Sequence, residues 1–342
     1  MEQLTDGTQM LELMLRPAFR AKNRIITQVN QSAAKLFLRE GLCLDDIVEA
    51  GKEEYASFSG GMLYLTLNLC GQCFGACVVR LEGEDIFTLD QQFESEELRV
   101  LALAARELRG PLPSAMLAAQ QLQGQEASRI NRSLYQLLRI VGNMSDASGL
   151  SPVFLPERQN LNALFQEMAE KAAALSASSG IQIRYSGLSE EACGLVDRQL
   201  LERAVLNMLS NALKFTPTGG EILLSLRKTG KQFRLSVTDS GSGIPEAERS
   251  TLFSRYLREP SLEDPRHGIG LGMLLIRNTA ARHGGAVLVD YPEGMGTRVT
   301  LTFGNAPEGE NQSRANQPRA DYAGEQDHAL IELSEFLPLS YY

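Results

Sequence analysis

From about Glu94 the apolar residues fall into a helical rhythm. Leu98, Leu101, Ala105, Leu108, Leu112 and Met116 recur every three or four positions, and beyond a polar turn at Gln123-Gly124-Gln125-Glu126 the set Ile130, Leu134, Leu138, Val141 and Met144 does the same. So short a turn predicts two antiparallel helices over 93–150, each with one narrow apolar seam that a single hairpin cannot cover. Dimerisation into a four-helix bundle would bury the seams; packing on neighbouring units of the same chain is the other solution. The texture differs on either side. Residues 8–92 mix short apolar strands with Gly-containing turns, as in MLYLTLNLCGQCFGACVVRL, where two strands flank a Gly-Gln turn of hairpin type, and this predicts a small α+β unit. Residues 155–305 alternate helices (Leu161 to about Leu175, Asp197 to Phe215, and one starting near Gly272) with strands at IQIRYSG, EILLSL and QFRLSVTD, the pattern of an α/β sandwich. The fold class expected is therefore α+β multidomain.

Beyond Gly304 the chain turns to Asn, Gln, Glu, Gly, Pro and Arg, too polar to pack, so 306–342 is expected to be an acidic, largely disordered tail. Its last stretch, HALIELSEFLPLSYY, reads as a loose apolar end rather than a docked helix because Pro338 interrupts the pattern. In that tail seven acids face only Arg314 and Arg319, which places −5 of the net charge of −9 there and argues against a nucleic-acid partner. The 342 residues, 43% hydrophobic and 22% charged, suit two or three globular units. No run of eighteen apolar residues occurs, and MEQLTDGTQM lacks the basic and apolar regions of a secretory signal; the expectation is a cytoplasmic protein without a membrane span.

Four short motifs between Leu201 and Arg298 carry the candidate chemistry. Asn207 and Asn211 stand four apart and share a helix face, where carboxamide oxygens can hold a hydrated magnesium ion without competing with phosphates for its charge. Lys214 adds a cation for a phosphate tail. Asp239 ends an alternating strand and is followed by Gly241 and Gly243, so a tight turn can bring a ligand close to backbone while the carboxylate accepts from an exocyclic amine. Gly268, Gly270 and Gly272 form a GxGxG just before a helix, whose free N–H groups attract phosphate. Each signal alone is weak; their order and spacing within a hundred residues describe a nucleotide pocket built without a P-loop.

These residues resemble the ATP-binding catalytic domain of bacterial two-component sensor histidine kinases, and 93–150 resembles the dimerisation and phosphoacceptor hairpin that precedes it. The resemblance implies ATP and Mg2+ as cofactors, with Asn211 as the magnesium ligand, Asn207 and Lys214 as phosphate or ion-shell contacts, and Asp239 as the adenine-recognising acid. It makes Gly241, Gly243, Gly268, Gly270 and Gly272 the glycines flanking a mobile lid. Within that lid TLFSRYLR matches a Phe-containing motif, with Phe253 and Arg258 at the corresponding positions and Arg258 in reach of a γ-phosphate. Gly296 and Thr297 match the last box.

One departure stands out. The family's acceptor motif reads Ser-His-Glu-Leu-Arg-Thr-Pro-Leu, whereas this chain has Ala105-Arg106-Glu107-Leu108-Arg109-Gly110-Pro111-Leu112. Arg106 occupies the acceptor position. Imidazole accepts phosphate because it is neutral and nucleophilic near pH 7, while a guanidinium stays protonated with no free lone pair, so Arg106 is expected to be inert. Glu107, which the resemblance makes the activating base, has nothing left to activate, and Gly110 replaces the Thr or Asn that supports phosphatase activity. The only histidines are His267, His283 and His328, each read as structural or solvated. Related ATPases carry a Glu one turn before the magnesium Asn; here that place is Asn207, which cannot act as a base and disfavours a water-activating hydrolase.

The stretch PAFRAKNRIITQVNQSAAKLF with the strand pair after it resembles a PAS sensor domain. Cys43, Cys70, Cys73 and Cys77 lie there; Cys70 and Cys73 are expected to face each other across the turn, with Cys77 too far along the strand to share a metal, so all are read as small hydrophobes. Cys193 reads as incidental. The expected protein is a homodimeric sensor-kinase-like signalling protein that binds Mg-ATP and signals by conformational change or docking to a response regulator or an intact histidine kinase. The alternative is an active kinase that phosphorylates a partner protein or heterodimer subunit.

Overall fold

The computed structural model describes residues 11–81, 83–90, 96–147, 154–190, 192–244, 271–304 and 327–342. The N-terminal unit runs β1 (Ala18–Lys22), β2 (Ile25–Val29), α1 (Gln31–Ala34), α2 (Leu44–Ile47), β3 (Val48–Ala50), α3 (Lys52–Ala56), β4 (Met62–Leu69), β5 (Gln72–Leu81) and β6 (Glu84–Asp90). Its strands lie in the order β2-β1-β6-β5-β4, with β3 also on β4 and every pair antiparallel. Phe19 and Phe87 stack at 4.5 Å in its core beside Leu63, Leu65 and Leu67. Buried Asn30 ties the entering chain down: its Oδ1 accepts from the Ala33 and Ala18 N–H groups at 2.8 and 3.1 Å, and its Nδ2 donates to the Met14 and Arg16 carbonyls.

The β4–β5 register corrects the expected turn. Leu69 pairs with Gln72 and Asn68 with Cys73, so the turn residues are Cys70 and Gly71 rather than Gly71 and Gln72. Both take left-handed backbone, φ 53° and 85°, as the tightest hairpin turn requires, and Asn68 Oδ1 accepts from the Gly71 N–H at 3.0 Å. Cys70 is thus exposed at the tip and does not face Cys73. Cys77 is buried opposite Tyr64, and burial pushes its thiol up to about 12.

Three helices follow: α4 (Glu96–Arg109), α5 (Pro111–Gln120) and α6 (Gln125–Ala147). The single rhythm of the first arm is broken at Gly110 because Pro111 and Pro113 offer no N–H to the Glu107 and Arg109 carbonyls. The seam divides in two. Ala105, Leu112, Met116, Leu138, Val141 and Met144 are buried together with Leu271, Leu274 and Ile331 of the same chain. Val100, Leu103, Leu108, Leu117, Ile130 and Leu137 remain exposed.

The C-terminal unit comprises β7 (Glu157–Asn160), α7 (Leu161–Ser176), β8 (Gln182–Ser186), β9 (Cys193–Val196), α8 (Arg198–Phe215), β10 (Glu221–Thr229), β11 (Gln232–Asp239), α9 (Leu271–Arg282), β12 (Val287–Asp290), β13 (Arg298–Phe303) and α10 (His328–Glu332). A sheet ordered β12-β13-β11-β10-β8 carries α7, α8 and α9 over a core that includes Phe165, Phe233 and Phe303, while β7 and β9 pair separately. Along β10 the alternation is strict, with Ile222, Leu224 and Leu226 fully buried. No helix among the described residues is long and apolar enough to cross a membrane.

Two long-range features were not expected. The N-terminal and C-terminal sheets are one: Met62, Leu63 and Tyr64 of β4 pair antiparallel with Val289, Leu288 and Val287 of β12, giving eleven strands among the described residues. Buried Arg277 of α9 fastens the seam by pairing with Asp90 and lying 4.7 Å over the Tyr64 ring. The second feature corrects the reading of the chain's last stretch, while residues 306–326 of the expected tail lie outside the described residues. Residues 327–342 dock on α6, α7 and α8, with Asp327 capping α10 through the Ala329 N–H at 2.8 Å and Ile331, Leu333 and Leu337 buried. Pro338 does not interrupt this helix, because it lies beyond it, ahead of a final 3-10 turn at Leu339–Tyr341.

Candidate functional site

Helix α8 supplies one side of the site. It starts where the Asp197 side chain accepts from the Leu200 N–H at 3.1 Å and ends at Thr216, whose hydroxyl returns to the Ala212 carbonyl at 2.7 Å. Behind its start sits His283, buried between Phe154 and Phe303, with Nε2 accepting the Asp197 N–H at 3.0 Å and Nδ1 2.8 Å from the Thr279 carbonyl. Burial pushes this imidazole below its ordinary value, more than the Thr279 contact and Asp197 raise it, so it stays neutral and structural at pH 7.

On the inner face of α8, Asn207 is 1% exposed and Asn211 half-buried. Both abut the first turn of α9: a Cβ placed on Gly272 would stand 3.0 Å from Asn207 Oδ1 and 3.9 Å from Asn211 Nδ2. The Asn207 Nδ2 donates to the Arg203 carbonyl at 3.0 Å and to Glu332 Oε2 of α10 at 3.1 Å. Lys214, one turn on, has its Nζ 3.8 Å from Glu335 Oε2.

Asp239, at the end of β11, forms the other side. Its Oδ1 accepts from the Gly241 and Thr297 N–H groups at 2.8 and 3.1 Å, while its own N–H and C=O bond to Thr297 and Gly296. No side chain larger than hydrogen fits around that carboxylate: a Cβ at Gly296 would lie 2.3 Å from Asp239 Oδ1, and one at Gly241 would lie 2.5 Å from the Phe215 carbonyl. That second contact joins the two sides, since Phe215 is the last residue of α8. Burial raises the Asp239 carboxyl, and the two N–H bonds only partly offset it. Among the described residues nothing hydrogen-bonds Oδ2, which leaves it for a ligand's donor. Gly243 follows with φ 72°.

Of the residues singled out from sequence, Asn207, Asn211 and Gly272 thus converge, as do Asp239, Gly241, Gly296 and Thr297. Phe253, Arg258, His267, Gly268 and Gly270 lie outside the described residues. Arg106 and Glu107 are exposed in the last turn of α4. Burial and then the Arg203 charge push the neighbouring Arg109 guanidinium down. His328 Nδ1 is 3.6 Å from Glu202. Sequence reasoning missed Arg139, Arg203, Glu332 and Glu335. The one local sign was the three-residue spacing of two acids among Ile331, Leu333 and Phe336, helical periodicity in a stretch read as loose.

A layered sheet with an Asp-Gly turn at one strand end and an Asn-bearing helix beside it defines the class. Residues 196–307 match the family described as histidine kinase-, DNA gyrase B-, and HSP90-like ATPase. The chain is 32% identical over 238 residues to the adaptive-response sensory kinase SasA of Parasynechococcus marenigrum (strain WH8102), across 66% of this chain and 60% of that protein. It is 30% identical over 254 residues to the kinase of the same name from Synechococcus sp. (strain CC9311), across 70% and 63%. The chain thus spans about 60% of the length of these curated relatives. Among solved structures, full-length ShkA in complex with AMPPNP is similar with a TM-score of 0.51 and 25% identity, covering 61% of this chain and 46% of that one. Residues 196–307 therefore carry the ATPase domain of that family, and the chain as a whole is similar to two-component sensor histidine kinases.

Proposed function

We infer that the chain is a signalling protein that binds Mg-ATP but does not phosphorylate itself at the usual position, its output being conformational or by docking. The observation that carries the binding is the Asp239 cradle: a buried carboxylate held by two backbone N–H groups, with one oxygen left open and glycines where any Cβ would clash. Asp239 would take the exocyclic amine of adenine, and Thr297 and Gly241 keep the acid in place. Asn211 would offer its oxygen to the magnesium ion, with Asn207 and Lys214 toward the phosphates and the N-terminal turn of α9 supplying N–H groups. The lid residues Phe253, Arg258, Gly268 and Gly270 complete this reading. ATP analogue in the similar ShkA structure supports the ligand class.

Loss of self-phosphorylation rests on Arg106, whose guanidinium cannot attack a phosphoryl group. Asn207 in the place of a catalytic Glu argues in the same direction for hydrolysis. The N-terminal antiparallel unit, residues 8–92, serves as a PAS-like sensor, and the exposed half of the hairpin seam at 93–150 pairs with a second copy to give a homodimer. A response regulator, or a kinase with an intact acceptor histidine, is the docking partner.

Incubation of the purified chain with γ-labelled Mg-ATP, with acid and alkali stability of any label, is the test. No label with nucleotide still bound is expected. Acid-stable label would reveal a kinase acting on a hydroxyl, and acid-labile label would point to His267, His283 or His328; either sinks the inert reading. Arg106→His in a folded, ATP-binding chain should gain acid-labile label.

A further inference from the structure

We propose that residues 327–342 are a latch over the phosphate side of the nucleotide site: Glu332 and Glu335 hold the side chains a nucleotide's phosphates would need, so latch docking and nucleotide binding exclude each other. The inference rests on the nucleotide-site reading and adds its regulation.

Glu332 is fully buried. Its Oε2 accepts from Asn207 Nδ2 at 3.1 Å and lies 3.3 Å from Arg139 Nε, and its Oε1 is 3.6 Å from Arg203 Nε. Glu335 stands 3.2 Å from Arg139 Nη1 and 3.8 Å from Lys214 Nζ. A carboxylate so deeply buried is stable only among donors and cations, and the donors here include Asn207 and Lys214. Carboxylate and phosphate oxygens are acceptors of the same kind, so neither group can serve both at once. Phosphates brought beside two seated carboxylates would also meet like charge.

The segment is anchored apart from those acids. Arg132 of α6 donates to the Ser334 and Glu335 carbonyls at 3.2 and 2.8 Å, and Tyr135 packs edge-on against Tyr342 at 5.0 Å. Lys171 of α7 pairs with Asp327 at 2.7 Å, and the Tyr341 hydroxyl donates to the Ala174 carbonyl. The latch therefore bridges the hairpin and the ATPase unit. Arg139 reinforces the bridge, since its Nη2 donates to Ser210 Oγ of α8 at 3.0 Å while its other nitrogens face both latch acids. Release would expose the phosphate side and leave the hairpin tied to α8 only by direct contacts such as Arg139 to Ser210 and Arg203 to Asn143, and apparent nucleotide affinity falls by the fraction of molecules unlatched.

The test titrates Mg-AMPPNP by calorimetry into the full chain and two full-length variants. Glu332→Gln with Glu335→Gln removes the competing charge, and Ile331→Asp unseats the segment from its apolar side with every pocket side chain intact. Both should bind at least about tenfold more tightly than the parent. Saturating nucleotide should also speed hydrogen exchange at the 328–337 amides of the parent. Equal affinity in all three proteins, or unchanged protection of those amides, overturns the latch and leaves the nucleotide site standing. No binding by any of the three, with folding verified by circular dichroism, overturns the site and the latch together.

Discussion

Around Asp239 every polar contact comes from backbone of the adjoining turns and strand ends, whereas Asn207 donates to one carbonyl of its own helix and to an acid 125 positions away that is itself ringed by Arg139 and Arg203. The first arrangement is carried by the sheet and needs no rearrangement to receive a ligand. The second is a network of charges whose members can exchange partners. A pocket with one rigid wall and one exchangeable wall can recognise a base while leaving the phosphate contacts open to control.

The largest way to break this contrast is Gly296→Ala, because the new Cβ would fall 2.3 Å from Asp239 Oδ1 and 2.6 Å from the Gly241 nitrogen. We expect about 3 kcal/mol of lost stability by urea denaturation, with no detectable nucleotide binding. Asp239→Asn separates stability from binding. Burial holds the carboxyl above its ordinary 3.8, so the ionised form is disfavoured by the fold and stability from this group is lost as pH rises through the folded value. The carboxamide keeps both backbone contacts, and the variant should melt at or above the parent at pH 7 while Mg-AMPPNP affinity falls about a hundredfold. A fall in melting temperature would show that the charge stabilises the wall.

His283 tests the support under α8. Its folded value lies below the ordinary 6.5, so the unfolded chain binds more protons and stability declines as pH drops through 6.5 toward the folded value. His283→Gln should flatten that decline in urea midpoints measured from about pH 7.5 to pH 5. The smallest effect is expected on the exchangeable wall. Lys214→Gln breaks a 3.8 Å pair with a 40% exposed partner and should cost under about 1 kcal/mol in stability.

Much of the ATPase unit was legible because its signals are local. Ile222, Leu224 and Leu226 alternate, Asn207 and Asn211 share a face by spacing alone, and glycines mark the turns beside Asp239. The hairpin turn at Cys70-Gly71 was misplaced by one residue because a non-glycine accepted left-handed backbone there, supported by Asn68. The tail was misread because Pro338 was weighed against a helix that ends before it.

By itself the sequence determined the succession of elements, the Asp-Gly turn, the Asn-bearing helix and the arginine in the acceptor-like motif, all set by spacings of a few residues. Only the tertiary structure decided that β4 would join β12 into one sheet and that Glu332 would reach Asn207. Neither choice of partner leaves a local mark, because a strand edge and a buried acid are satisfied by whichever complementary surface folding brings to them, and that choice depends on the burial of the whole chain.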